Sequence, residues 1–311
     1  MLSPIIHIGY PKTGTTWYQK HYYPQLQSCR YFSRNELIRL LIDVDVFTFN
    51  PQKVRKEFEQ LAEGRRIVIC EELLLGGLDI PFGNGEFIKV MADKLVSVFP
   101  DATIIVFIRN QAEMLASVYF QYIRSGGTYS IDYYLRLKNR FNPFYKTYLL
   151  PSLNNFKYKN IVDYYCTIYS SSKVQVYLFE EFRSHPAIFL EHFKENMQVQ
   201  YVEYPQYSIV ENLRFNKLYL TIMRFINHFS YLNTVRKNYW VNIPYLYYNI
   251  LRFLTWSNKL SIFNSLRKTD YILGKKRINY IKTYYNENNK ELSRYIPLKK
   301  LAEYGYVDES K

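Results

Sequence analysis

Cysteine is scarce in this 311-residue chain, and long apolar runs are missing from it. The three cysteines, Cys29, Cys70 and Cys166, form no CxxC pair and no Cys/His cluster. Neither a disulfide framework nor a zinc site is therefore indicated. No run reaches the ~18 uninterrupted apolar residues of a membrane-spanning helix, and the first residues lack the basic start and apolar core of a secretory signal. We expect a cytoplasmic protein, because so few unpaired cysteines suit a reducing compartment.

Acidic residues are also few, with 27 Asp and Glu against 41 Lys and Arg, so the net charge is +14. Residues 212–269 contain nine Lys or Arg and no acidic residue. Such a charge indicates an anionic partner: a phosphorylated cofactor, nucleic acid, an anionic lipid surface or an acidic glycan. Tyrosine is abundant, with 33 copies beside 21 Phe. The 48% of hydrophobic residues is typical of a globular protein and excludes disordered and collagen-like classes.

Short apolar runs alternate with helical patterns over the first two thirds of the chain. Runs at 4–9, 66–70, 103–108 and 174–179 predict strands that are buried on both faces. The pattern predicts an α/β fold with a parallel sheet of four to five strands and helices on both sides. We expect residues 1–204 to form this core and 205–311 to be a helical, basic and aromatic part that completes the same domain. Helices are expected at 33–62, 87–99, 111–124, 161–169 and 187–196.

The sequence GYPKTGTTW, residues 9–17, directly follows the first predicted strand. Glycine and proline permit a tight loop, and its backbone N–H groups can form an anion-binding nest. Lys12, Thr13, Thr15 and Thr16 add a positive charge and hydroxyl donors. The order differs from the ATPase loop G-x-x-x-x-G-K-[ST], because Thr15 stands where that loop has lysine. We interpret residues 9–17 as a phosphate loop; the alternative is an ordinary strand–turn–helix connection.

A second candidate phosphate site follows the third predicted strand. Arg109 stands at the strand end, and Ser117 lies eight residues later in the next predicted helix. Arginine presents a planar fork that matches phosphate oxygens, and a serine hydroxyl one to two turns into the helix can reach the same group. Alone, Arg109 could equally be a surface cation at a strand end.

Together these two motifs resemble those of the sulfotransferases, which take sulfate from 3′-phosphoadenosine 5′-phosphosulfate (PAPS). PKTGTTW after an N-terminal strand is similar to their 5′-phosphosulfate loop, which would make Lys12, Thr13, Gly14, Thr15 and Thr16 cofactor ligands. Arg109 and Ser117 match the pair that holds the 3′-phosphate. The family usually has Asp-Pro after the arginine, whereas this chain has Asn110-Gln111. The likeness implies a single P-loop-type α/β domain, and it covers residues 4–200 well and the C-terminus loosely.

The same resemblance assigns the remaining groups of a sulfuryl transfer. Trp17 would stack on the adenine; otherwise it is a core aromatic residue. Lys12 would stabilise charge on the leaving phosphate, so no metal is required. Small-molecule sulfotransferases have a catalytic histidine after the second strand, where this chain has Cys70-Glu71-Glu72. We favour Glu72 as general base, as in bacterial and glycan-modifying members, with Glu71 as the alternative.

Adjacent side chains of a strand point to opposite faces, so only one of these two carboxylates is expected to face the cleft. Strand parity does not show which one it is. A third interpretation makes both of them surface or helix-capping groups. His7 and His21 are expected to be structural. Arg214 is a candidate additional contact to the 3′-phosphate, and the alternative is a solvated helix cation.

The aromatic run at residues 239–256 leaves three interpretations open: a face lying in lipid headgroups, a sugar-stacking cleft, or helices packed on the core. No DNA- or RNA-recognition motif is present, so we expect no nucleic-acid partner.

The predicted activity is sulfate transfer from PAPS to a hydroxyl of a saccharide or lipid-linked glycan, with peripheral contact to the inner face of an anionic membrane. The alternatives are an ATP-dependent P-loop kinase and a non-catalytic membrane or nucleic-acid binder. Acceptor specificity is expected in the loops at 73–88 and 125–150 and in the C-terminal part.

Overall fold

The computed structural model describes residues 2–75, 86–137, 150–203, 205, 216–233, 237–257 and 269–308. A five-stranded sheet lies at the centre, with strand order β2-β3-β1-β4-β5 and every pair parallel. The strands are β1 (Ile5–Ile8), β2 (Cys29–Phe32), β3 (Arg66–Glu71), β4 (Thr103–Ile108) and β5 (Val174–Leu178).

The prediction of an α/β fold with a parallel sheet of four to five strands is confirmed, and all four predicted strands are present. The expected burial on both faces was wrong for β5, because it lies at the edge of the sheet and its three middle residues are half-buried. The fifth, β2, was not predicted. It is a four-residue edge strand that pairs only with β3, and three of its residues are half-buried. An edge strand of this kind lacks the continuous apolar run that marks the buried strands.

Helices connect the strands and cover both faces of the sheet. Predicted helix 111–124 is confirmed to the residue, whereas predicted helix 33–62 is interrupted between Asp43 and Asn50. Thr15–Trp17 continues into a π-helical turn at Tyr18–Tyr22. The helices up to the end of the α/β core are α1 (Thr15–Trp17), α2 (Arg34–Leu37), α3 (Pro51–Ala62), α4 (Glu86–Val98), α5 (Gln111–Arg124), α6 (Ile131–Tyr134), α7 (Tyr158–Tyr169), α8 (Phe179–Ser184) and α9 (Pro186–Met197).

Alternate residues of each central strand enter two different cores. Ile104 and Val106 of β4 face the larger core, which α3, α4, α5 and α7 cover. Ile105 and Phe107 face a smaller core, where rings from the helical run after Thr15 and from α9 pack together. Burial on both faces explains why these strands read as continuous apolar runs. The smaller core also accounts for part of the tyrosine content, because Tyr18, Tyr22 and Tyr23 are buried in it.

The described residues after 205 contain helices and no strand: α10 (Lys217–Ile226), α11 (Leu246–Ser257), α12 (Thr269–Leu273), α13 (Lys275–Lys290) and α14 (Leu298–Glu303). Side-chain hydrogen bonds join them to the α/β part. Gln111 and Asn289 bond each other through both amide groups, and Arg277 binds the Asp132 carboxylate with two nitrogens. In the part of the chain that the structure describes, no helix is long and apolar enough to cross a bilayer.

Candidate active site

The carboxyl ends of the strands gather the predicted site residues at one edge of the sheet. Ile8 of β1 pairs with Glu71 of β3, and Ile108 of β4 pairs with Leu178 of β5. Because the strands are parallel and in register, the segments that follow them start side by side. Ligands of open α/β sheets bind at this edge.

The phosphate loop has the backbone of an anion-binding nest. Lys12 and Gly14 have positive φ angles of 68° and 85°, whereas Thr13 between them does not. The Thr13 hydroxyl donates to the carbonyl of Tyr10 at 2.6 Å and closes the loop on itself. When residues with positive φ alternate with residues whose φ is negative, successive backbone N–H groups point toward one place. A glycine is needed at position 14 because a Cβ there would be strained and would lie 3.1 Å from the Phe179 ring.

Thr15 carries a buried hydroxyl group that no described residue satisfies. Thr15 is only 2% exposed, and its Oγ1 has no hydrogen-bond partner among the described residues. Buried hydroxyls are nearly always paired, because leaving one unpaired costs about 1–3 kcal/mol. A ligand oxygen at the loop would supply the missing partner. Lys12 and Thr16 are half-buried beside it.

Arg109 joins the phosphate loop to Ser117. One terminal nitrogen of its guanidinium donates to the carbonyl of Lys12 at 2.9 Å and to the hydroxyl of Ser117 at 3.3 Å. The other nitrogen binds the Glu113 carboxylate at 3.1 Å, one helical turn away. Arg109 and Ser117 are 8% and 6% exposed. The structure therefore brings the two predicted phosphate sites into direct contact.

Several neighbours hold Arg109 in this position. Its guanidinium lies 5.0 Å from the ring centroid of Phe179, the first residue after β5. The Tyr158 hydroxyl donates to its backbone carbonyl at 2.6 Å. An arginine confined by a ring, a carboxylate and a backbone bond loses little further entropy when it binds phosphate.

Asn110 and Gln111 begin α5 and anchor it. The Asn110 side chain accepts from the backbone N–H of Ala112 at 3.1 Å and caps the helix. Its amide nitrogen donates to the carbonyl of Gly305 at 2.9 Å. Gln111 is buried against Asn289. These two side chains therefore fix the start of the helix and contact the C-terminal part.

The two candidate carboxylates differ sharply in their surroundings. Glu71 is fully buried, and Arg34 binds both of its oxygens, with Nε at 2.8 Å from Oε2. The backbone N–H of Leu73 adds a third bond at 3.2 Å. Hydrogen bonding to Glu71 raises the pKa of Arg34. Glu72 begins a 3₁₀ turn, Glu72–Leu75, and is half-buried.

Trp17 and His7 pack in the smaller core, whereas His21 is half-buried beside Trp17, with the two ring centroids 6.1 Å apart. Trp17 is 4% exposed, and its ring centroid lies 4.8 Å from that of Phe182. His7 is fully buried, and desolvation lowers its pKa to about 3. Its Nδ1 lies 2.9 Å from the Tyr23 hydroxyl and 3.3 Å from Sγ of Cys70. His7 is thus neutral at physiological pH.

Three residues of the site escaped sequence reasoning: Arg34, Glu113 and Phe179. Arg34 follows the unpredicted edge strand, so its proximity to Glu71 had no sequence signal. Glu113 lies four residues after Arg109, and this spacing on a helix was a readable signal for an ion pair. Phe179 could have been noticed as an aromatic residue at a strand end.

Other expected contributors cannot be placed. Arg214 and much of the loops at 73–88 and 125–150 lie outside the described residues. Within the described ranges, no three His, Cys, Asp or Glu side chains are grouped as metal ligands would be.

No protein-family model matches the sequence, and no curated protein matches it. Among solved structures, the chain is similar to a sulfotransferase from Alicyclobacillus acidocaldarius, with 18% identity over 68% of this chain and 87% of that one, at a TM-score of 0.47. It is also similar to the mouse sulfotransferase SULT7A1 complexed with PAP, with 16% identity over 97% of this chain and 89% of that one, at a TM-score of 0.41.

Proposed function

We propose that this protein is a PAPS-dependent sulfotransferase of the bacterial or glycan-modifying type. The observation that carries the proposal is the bond from Arg109 to the carbonyl of Lys12, with Ser117 on the same nitrogen. It joins the two proposed anion sites, one in the loop after β1 and one after β4. PAPS has phosphate at two separate places on its ribose, whereas ATP carries its phosphates in a single chain.

The residues present fit such a cofactor. The nest at residues 12–14 and the unsatisfied Thr15 hydroxyl suit the 5′-phosphosulfate. Thr16 adds a half-buried hydroxyl at the same loop. Arg109 and Ser117 suit the 3′-phosphate, and Trp17 is the proposed adenine contact. PAPS would supply an activated sulfuryl group and a phosphate leaving group.

Glu72 is our proposed general base, and Lys12 the proposed cation at the leaving phosphate. Arg34 occupies both oxygens of Glu71, so that carboxylate is poorly placed to accept a proton. Glu72 follows β3 at the same edge of the sheet as the phosphate loop and is half-buried. It would take the proton of an acceptor hydroxyl as the oxygen attacks sulfur, and Lys12 would offset the charge that develops on the departing phosphate.

We propose a saccharide or lipid-linked glycan hydroxyl as acceptor, at the cytoplasmic face of an anionic membrane, with no nucleic-acid partner and no metal requirement. The net charge of +14 favours an anionic partner. We further propose that residues 1–204 and 205–311 act as one domain. The contacts of Asn110 and Gln111 with the C-terminal part, beside Arg109, support this.

Calorimetric titration with adenosine 3′,5′-bisphosphate, the desulfated product, tests the cofactor assignment. We expect the bisphosphate to bind and ATP not to bind. Arg109→Ala/Ser117→Ala should weaken binding about 10- to 100-fold, because charge-assisted hydrogen bonds are lost. The matched control is Arg65→Ala/Ser172→Ala, which changes the same residue types at the opposite edge of the sheet, before β3 and β5.

Tight ATP binding with no response to the bisphosphate would overturn the proposal and favour a P-loop kinase. Binding of the bisphosphate without turnover of labelled donor on any acceptor would instead favour a non-catalytic binder.

A further inference from the structure

The surface of the C-terminal part exposes an unusual number of large apolar side chains. Of the 22 such side chains that are exposed among the described residues, eleven lie between Leu218 and Trp256. We call these eleven the aromatic surface. Its largest members include Trp240, Phe253 and Trp256, which are 58%, 58% and 67% exposed. Some of these rings lie side by side: the ring centroids of Phe225 and Trp240 are 6.1 Å apart, and those of Phe253 and Trp256 are 6.2 Å apart. An exposed apolar patch on a folded protein marks an interaction site.

Helix α11 shows that this exposure is not a by-product of core packing. One face buries Tyr247 and Leu254. The other face exposes Tyr248, Arg252 and Trp256, which follow one another at four-residue spacing and so form a single row. The outward face of a surface helix is normally polar. Here two aromatic rings flank one arginine on that outward row.

Helix α10 repeats the arrangement. It buries Tyr219, Leu220 and Met223, and it exposes Leu218 and Phe225 on its other side. Both helices therefore have an apolar inner face and a second apolar face that the described residues leave exposed.

Several described residues between the two helices are held by specific contacts. The ammonium group of Lys237, a residue only 3% exposed, donates to the carbonyls of Asn227 and Ser230. The backbone N–H of Trp240 donates to the carbonyl of His228 at 2.9 Å, and the two rings stack at 4.2 Å. A ring fixed in this way loses little conformational entropy when a partner covers it.

Charge decides which partner fits the aromatic surface. Lys217 and Arg252 are exposed on the two helices, and the described residues 216–233 and 237–257 contain no acidic side chain. A second copy of this surface would therefore meet its own positive charge. Nucleic acid can stack on rings, but it offers nothing apolar to Leu218, Val241 and Ile243, which are 44–57% exposed. An anionic bilayer supplies both requirements: phosphates for Arg252 and a hydrocarbon layer for the aliphatic and aromatic groups.

We infer that the aromatic surface docks this protein onto an anionic lipid bilayer, with Trp240, Phe253 and Trp256 inserted at the level of the headgroups. Tryptophan and tyrosine favour this boundary because their rings are apolar and their edges are polar. The docking itself does not depend on sulfate transfer. The consequence that the acceptor is borne by the membrane rests on the proposed function.

Flotation of the full chain with lipid vesicles tests the docking, without any cofactor present. We expect binding to phosphatidylglycerol vesicles, weak binding to phosphatidylcholine vesicles, and weaker binding when salt rises from about 0.1 to about 0.5 M. Trp240→Ser/Trp256→Ser should lower vesicle affinity about tenfold for each ring removed. Phe47→Ser is the matched control, because Phe47 is 96% exposed and lies outside the aromatic surface; it should bind as the wild type does.

Tryptophan fluorescence locates the contact independently. The chain has three tryptophans, and Trp17 is buried whereas Trp240 and Trp256 are exposed. Vesicles with brominated acyl chains should quench the wild type. Trp240→Phe/Trp256→Phe should still float with vesicles but lose the quenching, since only Trp17 remains. Unchanged bisphosphate binding by both double variants, measured without vesicles, would show that they are folded.

Absence of binding to anionic vesicles, or equal binding by wild type and Trp240→Ser/Trp256→Ser, would overturn the inference. So would a dimer or an RNA complex that the same substitutions abolish while vesicles remain unbound. Vesicle binding together with failed bisphosphate binding would retain the docking and refute only the proposed function.

Discussion

At the scale of single residues, the site depends on how each charge is paired. Arg109 contacts a backbone carbonyl, a hydroxyl and a carboxylate at once, so its direction is set before any ligand arrives. Glu71 and Glu72 are neighbours in sequence, yet Arg34 binds both oxygens of Glu71, whereas Glu72 is half-buried after the strand. The two carboxylates therefore have different proposed roles, one structural and one catalytic.

This difference gives a test at the residue scale. Glu72→Gln should lower kcat about 10²- to 10⁴-fold while bisphosphate binding is retained, because a general base is lost and no phosphate contact is. Glu71→Gln should instead lower the free energy of unfolding by on the order of 1–3 kcal/mol, because a buried charged partner of Arg34 is removed. Steady-state kinetics with labelled donor and urea unfolding measure the two effects.

The paired variants also control for each other. If Glu71→Gln loses turnover without losing stability, and Glu72→Gln behaves as the wild type, the assignment of the base must be reversed.

At the scale of elements, the loop after β1 combines strain with close packing. Gly14 has φ 85°, and the space beside it is filled by the Phe179 ring, which also lies against Arg109. Gly64, in the turn before β3, has a similar φ of 78°, but no atom lies within 4 Å of the place that a Cβ would occupy there. Both glycines need a left-handed backbone, but only at Gly14 would a side chain also contact the site. A comparison of substitutions at these two positions therefore distinguishes the effect of backbone strain from the effect of contact with the site.

Gly14→Ala should lower both stability and bisphosphate affinity, and Gly64→Ala should lower stability alone. Each left-handed alanine costs about 1–2 kcal/mol, and at position 14 the methyl group must also displace Phe179. Thermal unfolding and calorimetry distinguish the outcomes. Full bisphosphate affinity in Gly14→Ala would show that the loop does not need its present backbone to bind the ligand.

At the scale of the whole molecule, buried amides connect the C-terminal helices to the site. Asn289 of α13 is 1% exposed, exchanges two hydrogen bonds with Gln111, and donates to the carbonyl of Tyr306 at 2.8 Å. Gln111 follows Arg109 by two residues. Loosening the C-terminal part should therefore disturb the proposed 3′-phosphate site.

Asn289→Ala should lower the free energy of unfolding by about 1–3 kcal/mol, because it leaves the buried Gln111 amide without a partner. Unfolding should remain a single transition. Asn279→Ala changes an exposed asparagine of the same helix and should stay within about 0.5 kcal/mol of the wild type. Two separate urea transitions, with the α/β part unaffected by Asn289→Ala, would contradict one cooperative domain.

Much of the fold could be predicted because buried parallel strands appear in the sequence as continuous apolar runs. Helix 111–124 and strands β1, β3, β4 and β5 follow from that pattern and from local turn signals. Strand β2 could not be predicted, because its four residues, CRYF, are mostly half-buried and contain no continuous apolar run. The helical expectation for 33–62 was wrong between Asp43 and Asn50, because a new helix begins at Pro51 and is capped by the Asn50 side chain.

Local sequence by itself determined the phosphate loop, the cap at Asn110 and the positions of Arg109 and Ser117 on their elements, because these depend on neighbours along the chain. The tertiary structure alone decided that Arg109 reaches the Lys12 carbonyl and that Arg34 pairs with Glu71. It also decided that eleven large apolar side chains between Leu218 and Trp256 are exposed to solvent. Those outcomes join segments up to 97 residues apart, and no local pattern records which distant groups meet when the sheet assembles.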